Sequence, residues 1–143
     1  AEVRTLREGC VGAPTLRKDQ ELCVANETAA RLLGKIGRHD SLAAESYYRK
    51  YFLNYFSDLE TSLAELNRVV SNKGYIGIVV QDSYFKDIHI DLQSIIVDML
   101  DDRKRQLRDR CDFSVQRSRV NMNPQAQKYN KPKGPTESLL VFS

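Results

Sequence analysis

In the first half of the chain apolar residues recur at three- and four-residue steps; in the second half they gather in short runs or alternate. Leu22, Ala25, Ala29, Leu32, Leu33 and Ile36 line one face of a helix between Leu16 and Ile36, with Asn26 as a point of interruption and Gly37 able to end it. Asp40 and Ser41 then offer N-caps, and Glu45 favours a first helical turn. From there Tyr48, Phe52, Tyr55, Phe56, Leu59, Leu63, Leu66, Val69 and Val70 form one stripe at helical spacing, which predicts a long helix ending near Ser71. Its aromatic residues read as core rather than as a stacking platform. Gly74 is placed to close the last turn in the left-handed conformation.

The run from Tyr75 to Val80 is apolar and largely β-branched, which predicts an interior parallel strand covered on both faces. Gln81, Asp82 and Ser83 follow at the end where open α/β sheets place their ligand crevice, although turn chemistry accounts for Asp82 and Ser83 equally well. A helix is expected from Ile90 to Asp102, with Leu92, Ile95, Ile96, Met99 and Leu100 on one face. Leu107, Cys111, Phe113 and Val115 keep a period of two, and Ser138 to Phe142 reads as a final strand. Between them, Arg117 to Thr136 is a polar loop, so the end of the chain predicts a wide antiparallel hairpin. Residues 1–14 read as an irregular lead-in with a short helix over Val3 to Glu8.

A chain of 143 residues suits one α/β domain, here with a helical lead-in and long helix over 1–72 and a strand–helix–hairpin part over 73–143. Its 41% hydrophobic and 29% charged residues exclude a disordered chain. No apolar run approaches the roughly 20 residues that cross a bilayer, and residues 1–9 are too charged for a signal-peptide core, so no membrane partner and a cytoplasmic location are expected. Cys10, Cys23 and Cys111 are odd in number and widely spaced, which suggests reduced thiols; with His39 and His89 they give no metal-ligand spacing, and no metal is expected. The net charge of +3 hides a strong asymmetry. Residues 103–133 carry ten basic against two acidic side chains, a local balance of +8 that suits phosphate binding and equally a solvated hairpin.

Three segments carry a resemblance. They are Leu63 to Val70, Lys73 to Tyr84, and Arg117 to Phe142, the last with Asn123-Pro124, Lys128-Tyr129 and Glu137-Ser138 before an apolar strand. In this order they resemble the distal half of the amino-type DNA methyltransferases. Those enzymes move a methyl group from S-adenosylmethionine to the exocyclic amino group of adenine or cytosine, on a seven-stranded sheet that ends in an antiparallel hairpin. The segment Leu6 to Gly12 is similar to the stretch that follows their catalytic motif. The resemblance implies a partial Rossmann-like methyltransferase sheet: residues 74–81 would be its fifth strand, 90–102 the following helix, and the terminal strands the closing hairpin. It also implies that Asp82, Ser83 and Tyr84 border the base pocket, and that Arg117, Arg119, Asn121, Asn123, Lys128 and Tyr129 face duplex DNA. None would be a catalyst.

Two elements of that chemistry are missing from these residues. The scattered glycines form no glycine-rich cofactor turn, and no Pro-Pro pair supplies the segment that holds a flipped base. Methyl transfer depends on positioning both reactants, so S-adenosylmethionine is expected in a complete enzyme and not on this chain alone. The expected partners are duplex DNA and a missing N-terminal half or complementing chain; the first residue, Ala1, suits a fragment or a processed chain. A half-sheet would leave an unpaired edge beside residues 75–80, so a homo-oligomer is a further expectation. The alternatives are a noncatalytic nucleic-acid-binding or assembly module derived from the same fold, and an unrelated α/β interaction domain.

Overall fold

The computed structural model describes Val3, Leu6 and residues 10–12, 22–114 and 136–143. The chain divides into two compact units, Ala1–Leu66 and Asn67–Ser143. Most of the short helix expected over Val3 to Glu8, Val115 of the expected strand, and the loop expected from Arg117 to Thr136, except Thr136 itself, lie outside the described residues.

The first unit is helical. Helix α1 spans Glu27–Gly37, and Asn26 starts it rather than interrupting a longer one: its Oδ1 accepts from the Ala29 N–H at 3.0 Å. That bond satisfies one of the four N–H groups a helix start leaves unpaired, which explains why α1 begins there; residues 16–21 of the expected stretch lie outside the described residues. Ala29, Leu32, Leu33 and Ile36 are buried at the expected spacing. The next helix differs from a single α-helix. A π-helical turn occupies Ala44–Tyr48, preceded by Ala43 at φ 61°, and the Tyr48 N–H reaches the Ala43 carbonyl at 3.0 Å. Helix α2 follows over Arg49–Val69 and buries Asn54, Phe56 and Leu63. Leu66 and Val69 stay exposed, so the stripe is core over its middle only. Tyr51 and Tyr55 receive the lead-in: the Tyr51 hydroxyl donates to the Gly12 carbonyl at 3.4 Å, and a Cβ on Gly12, whose φ is +78°, would stand 3.3 Å from the Tyr55 ring.

In the second unit the strands are β1 (Ile76–Gln81), β2 (Ser83–Phe85), β3 (Ile88–Ile90), β4 (Leu107–Ser114) and β5 (Thr136–Phe142), with helix α3 over Leu92–Asp101. This is an α/β chain whose main sheet has the order β1-β5-β4, antiparallel throughout, while β2 and β3 pair in a small hairpin. The last strand is thus central, with Ser138, Leu140 and Phe142 fully buried at a period of two. Helix α3 packs on β1 and contributes Ile95, Ile96, Met99 and Leu100 to the core.

Three expectations need correction here. β1 is antiparallel to β5 and has no strand on its other side among the described residues; Gly77, Val79 and Gln81 are exposed, so only one face of the strand is covered. The period of two in β4 predicts a strand with one wet face, yet all eight of its residues are exposed, and among the described residues only β5 pairs with it. Gly74 does not take a positive φ; a Cβ there would meet Val70 Cγ1 at 2.7 Å, so close approach rather than handedness requires glycine.

Helix α3 ends in a Schellman motif. The Arg105 N–H bonds to the Leu100 carbonyl and the Lys104 N–H to Asp101, with Lys104 at φ 62° where glycine is usual. The motif delivers Arg105, only 5% exposed, to the C-terminus of α2. There its guanidinium donates to Asn67 Oδ1 (2.6 Å) and to the carbonyls of Val70 (3.0 Å), Ser71 (3.1 Å) and Gly74 (3.3 Å). These include carbonyls that a helix end leaves without partners, and the cation faces the negative end of the helix dipole.

Candidate functional site

A cleft of about 390 Å³ opens where β1 ends, lined by Asp82, Tyr84, His89, Asp91, Gln93, Arg110, Asp112 and Thr136. It is built around the first residue of β5. The register pairs Gln81 with Glu137, so the next rung would join Asp82 to Thr136. Half of that rung is backbone, the Asp82 N–H donating to the Thr136 carbonyl at 3.0 Å. The other half is side chain: Asp82 Oδ1 accepts from the Thr136 N–H at 2.7 Å. The carboxylate thus substitutes for a backbone carbonyl, and the chain can leave the sheet into β2 while the ladder still closes.

Asp82 is 7% exposed, and its second oxygen lies 2.7 Å from His89 Nε2. Opposite residues of the β2–β3 hairpin, Tyr84 and His89, hold their rings 5.0 Å apart. Asp91 caps α3, accepting from the Ser94 N–H (3.0 Å) and hydroxyl (2.7 Å). Two residues on, Gln93 is fully buried; its Nε2 donates to the Thr136 carbonyl (3.1 Å) and to Ser138 Oγ (3.2 Å), and its Oε1 has no hydrogen-bond partner among the described residues. Since the Thr136 carbonyl can only accept, these bonds fix which way the amide faces.

Ser138 passes the network to β4 by donating to Asp112 Oδ1 at 2.6 Å, and Arg110 Nε donates to the same oxygen at 2.7 Å. The hydrogen bond from Arg110, then that from Ser138, holds the Asp112 carboxyl below the ordinary aspartate range. The same bond raises the Arg110 guanidinium above its ordinary value. The cleft therefore combines three aspartates, one arginine and a ring wall, and it can meet a planar molecule with both donor and acceptor groups on its edge.

Of the residues expected at a base pocket, Asp82 and Tyr84 line the cleft; Ser83 is exposed at the start of β2 and does not. Arg117, Arg119, Asn121, Asn123, Lys128 and Tyr129 lie outside the described residues. No family model, curated protein or solved structure matches the chain. His89, Gln93, Arg110 and Asp112 were not singled out by sequence. Gln93 carried a readable signal, because it lies three and seven residues before Ile96 and Leu100 and so occupies an apolar stripe with a polar side chain. Among the described residues no cluster of three or more His, Cys, Asp or Glu side chains could hold a metal ion, and no helix is long and apolar enough to cross a membrane.

Proposed function

We propose that the chain is the distal part of a DNA amino-methyltransferase, supplying the closing end of the sheet and a DNA-facing basic segment, and inactive by itself. The observation that carries this reading is the connection order: a strand, a helix packed on it, and a terminal antiparallel hairpin whose last strand pairs with the first. That is how a partial Rossmann-like methyltransferase sheet would end. The polar cleft beside the end of β1, bordered by Asp82 and Tyr84, supports a ligand at the position where such sheets bind theirs. The edge of β1 that is unpaired among the described residues supports a complementing chain or N-terminal half as partner, with a second copy as the competing occupant. The cytoplasm is the compartment where this chemistry would operate.

S-adenosylmethionine does not fit the residues present. Among the described residues no glycine lines the cleft, so none of them lets backbone approach a nucleoside cofactor closely, and no methyl-transfer step is assigned to these side chains. The same absence favours the second reading, a noncatalytic nucleic-acid-binding module that keeps the fold. Salt-dependent binding of the full chain to duplex DNA tests what both readings share. Arg117→Ala and Lys128→Ala together are expected to weaken binding equally across sequences and to reduce the slope of log affinity against log salt by about 2, if each contacts one phosphate. An unchanged slope would remove DNA from the proposal. Saturable binding of S-adenosylmethionine in titration calorimetry would overturn the inactive-half reading.

A further inference from the structure

The two outer strands of the main sheet are unlike. β4 carries Arg108, Asp109, Arg110 and Asp112, the kind of charged edge that resists pairing with another chain. β1 carries no charge and no proline, and its outer edge has no partner among the described residues. The rung just beyond β1 shows which way its backbone groups point. The Asp82 N–H donates to the Thr136 carbonyl, and in an antiparallel ladder such rungs alternate. Counting back by twos, Val80, Ile78 and Ile76 aim their N–H and C=O groups at β5, while Gln81, Val79 and Gly77 aim theirs away from it. The same three residues are exposed, Val79 by 66%, and a Cβ on Gly77 would meet nothing within 4 Å.

We propose that this edge binds a second copy of the chain, β1 pairing antiparallel with its own twin about a two-fold axis at Ile78. Outward-aimed residues of one copy must meet those of the other, which excludes every register that sets Val79 against Ile78 or Val80. With Ile78 on the axis, Gly77 faces Val79 of the second copy and Ile76 faces Val80. The pairing then stops short of Asp82, where the chain leaves the sheet. Each Val79 covers the bare backbone of a Gly77, and both faces of the sheet continue from one copy into the other. Charge and closure select this occupant. The neutral edge of β1 matches itself, whereas β1 against the charged β4 of a second copy would be a head-to-tail contact that need not close. The inference builds on the reading of β1 as an edge that takes a partner, and depends neither on DNA binding nor on methyl transfer.

The test is sedimentation equilibrium of the full chain between about 10 μM and about 1 mM, because two short strands bury an area at the weak end of protein interfaces. Amide hydrogen exchange is followed by NMR at both ends of that range. A dimer is expected, with the Gly77, Val79 and Gln81 amides exchanging at least about tenfold more slowly at the high concentration, and those of Ile78 and Val80, bonded to β5 in either state, unchanged. Val79→Pro removes an outward N–H and no bond to β5. By symmetry it costs the dimer about two hydrogen bonds, so the dissociation constant rises about thirtyfold while the far-UV circular dichroism is kept. Val79→Lys sets a charge on each side of the axis at an exposed position, and weakens the dimer even if the proline disturbs the strand. A chain that stays monomeric overturns the proposal and leaves the complementing-chain reading standing. A dimer that gives no added protection at Gly77 and Val79, or that neither variant weakens, also overturns it. A dimer with these amides protected supports the pairing whether or not the chain binds duplex DNA, so this inference and the DNA reading fail separately.

Discussion

Replacing Arg105 by Ala tests how, within the second unit, the end of α3 is tied to residues 67–74. The guanidinium is 5% exposed and makes hydrogen bonds to Asn67, Val70, Ser71 and Gly74. The Ser71 carbonyl keeps another donor, the Gly74 N–H at 2.8 Å, so the acceptors stripped of these bonds are Asn67 Oδ1, Val70 O and Gly74 O. At about 1 kcal/mol for each acceptor left without a partner, the loss is about 3 kcal/mol. Two opposing effects adjust it: no ion pair of Arg105 occurs among the described residues, so removing the cation relieves some desolvation, whereas the emptied volume costs packing. A net destabilisation of about 2–4 kcal/mol is expected. Arg105→Lys keeps the charge but replaces a planar fork by one ammonium, and should lose about half as much. Urea denaturation followed by far-UV circular dichroism measures both, and hydrogen exchange in the last turn of α2 localises the effect. An Ala variant within about 0.5 kcal/mol of wild type, a change no larger than an ordinary surface substitution, would refute the reasoning.

Lys104 closes the Schellman motif at a positive φ, which costs a side-chain-bearing residue about 1–2 kcal/mol. Lys104→Gly should therefore raise stability by about 0.5–1 kcal/mol after the larger chain entropy of unfolded glycine is deducted, and a lower urea midpoint would contradict this. Asp112 carries a pH dependence. Its carboxyl is lowered in the folded chain, so its contribution is present above the ordinary value of 3.8 and is lost as pH falls through the lower folded value. Carboxyl NMR should show it titrating below 3.8 in the wild type and moving up in Arg110→Ala, the removal of its largest cause; no upward movement would mean that Arg110 does not hold it.

The elements were legible in sequence where a local pattern agreed with what packs around it. The buried face of α1 follows the apolar spacing residue for residue. β5 was legible as a strand but not in its alternation, since Leu139 to Phe142 is continuously apolar while polar Ser138 is buried and Leu139 and Val141 are half-buried. Partnership was legible for the closing hairpin, where β4 pairs antiparallel with β5 as expected, but not for β1. A continuous apolar run such as Ile76 to Val80 announces burial but not from which side, and the antiparallel partner of β1 lies more than fifty residues away in sequence. The β2–β3 hairpin escaped notice because its turn, Lys86-Asp87, has none of the glycine or asparagine that usually supplies a positive φ; Lys86 takes one at 59°. The cleft was half visible, through Asp82 and Tyr84 at the end of β1. Of the rest, His89, Asp91 and Gln93 come from β3 and the start of α3, and Arg110, Asp112 and Thr136 are brought beside them by the closing hairpin, which no spacing along the chain records.

The π-helical turn at Ala44–Tyr48 bears on how the first unit tolerates changes of chain length. Ala44 and Phe56 are both buried although twelve residues separate them, which would set them about 120° apart around a regular α-helix. A π-turn absorbs one extra residue, and a spacing of effectively eleven brings them to within about 20° of each other. The turn thus serves as a phase corrector. Deleting one residue from it would turn it into a regular α-turn with a true spacing of eleven, leaving Ala44 on its side of the helix and the rows of α2 intact, whereas the same deletion between Phe56 and Leu63 would rotate those two out of phase with each other. A one-residue deletion should therefore be far better tolerated at this turn than a few residues further along the same helix.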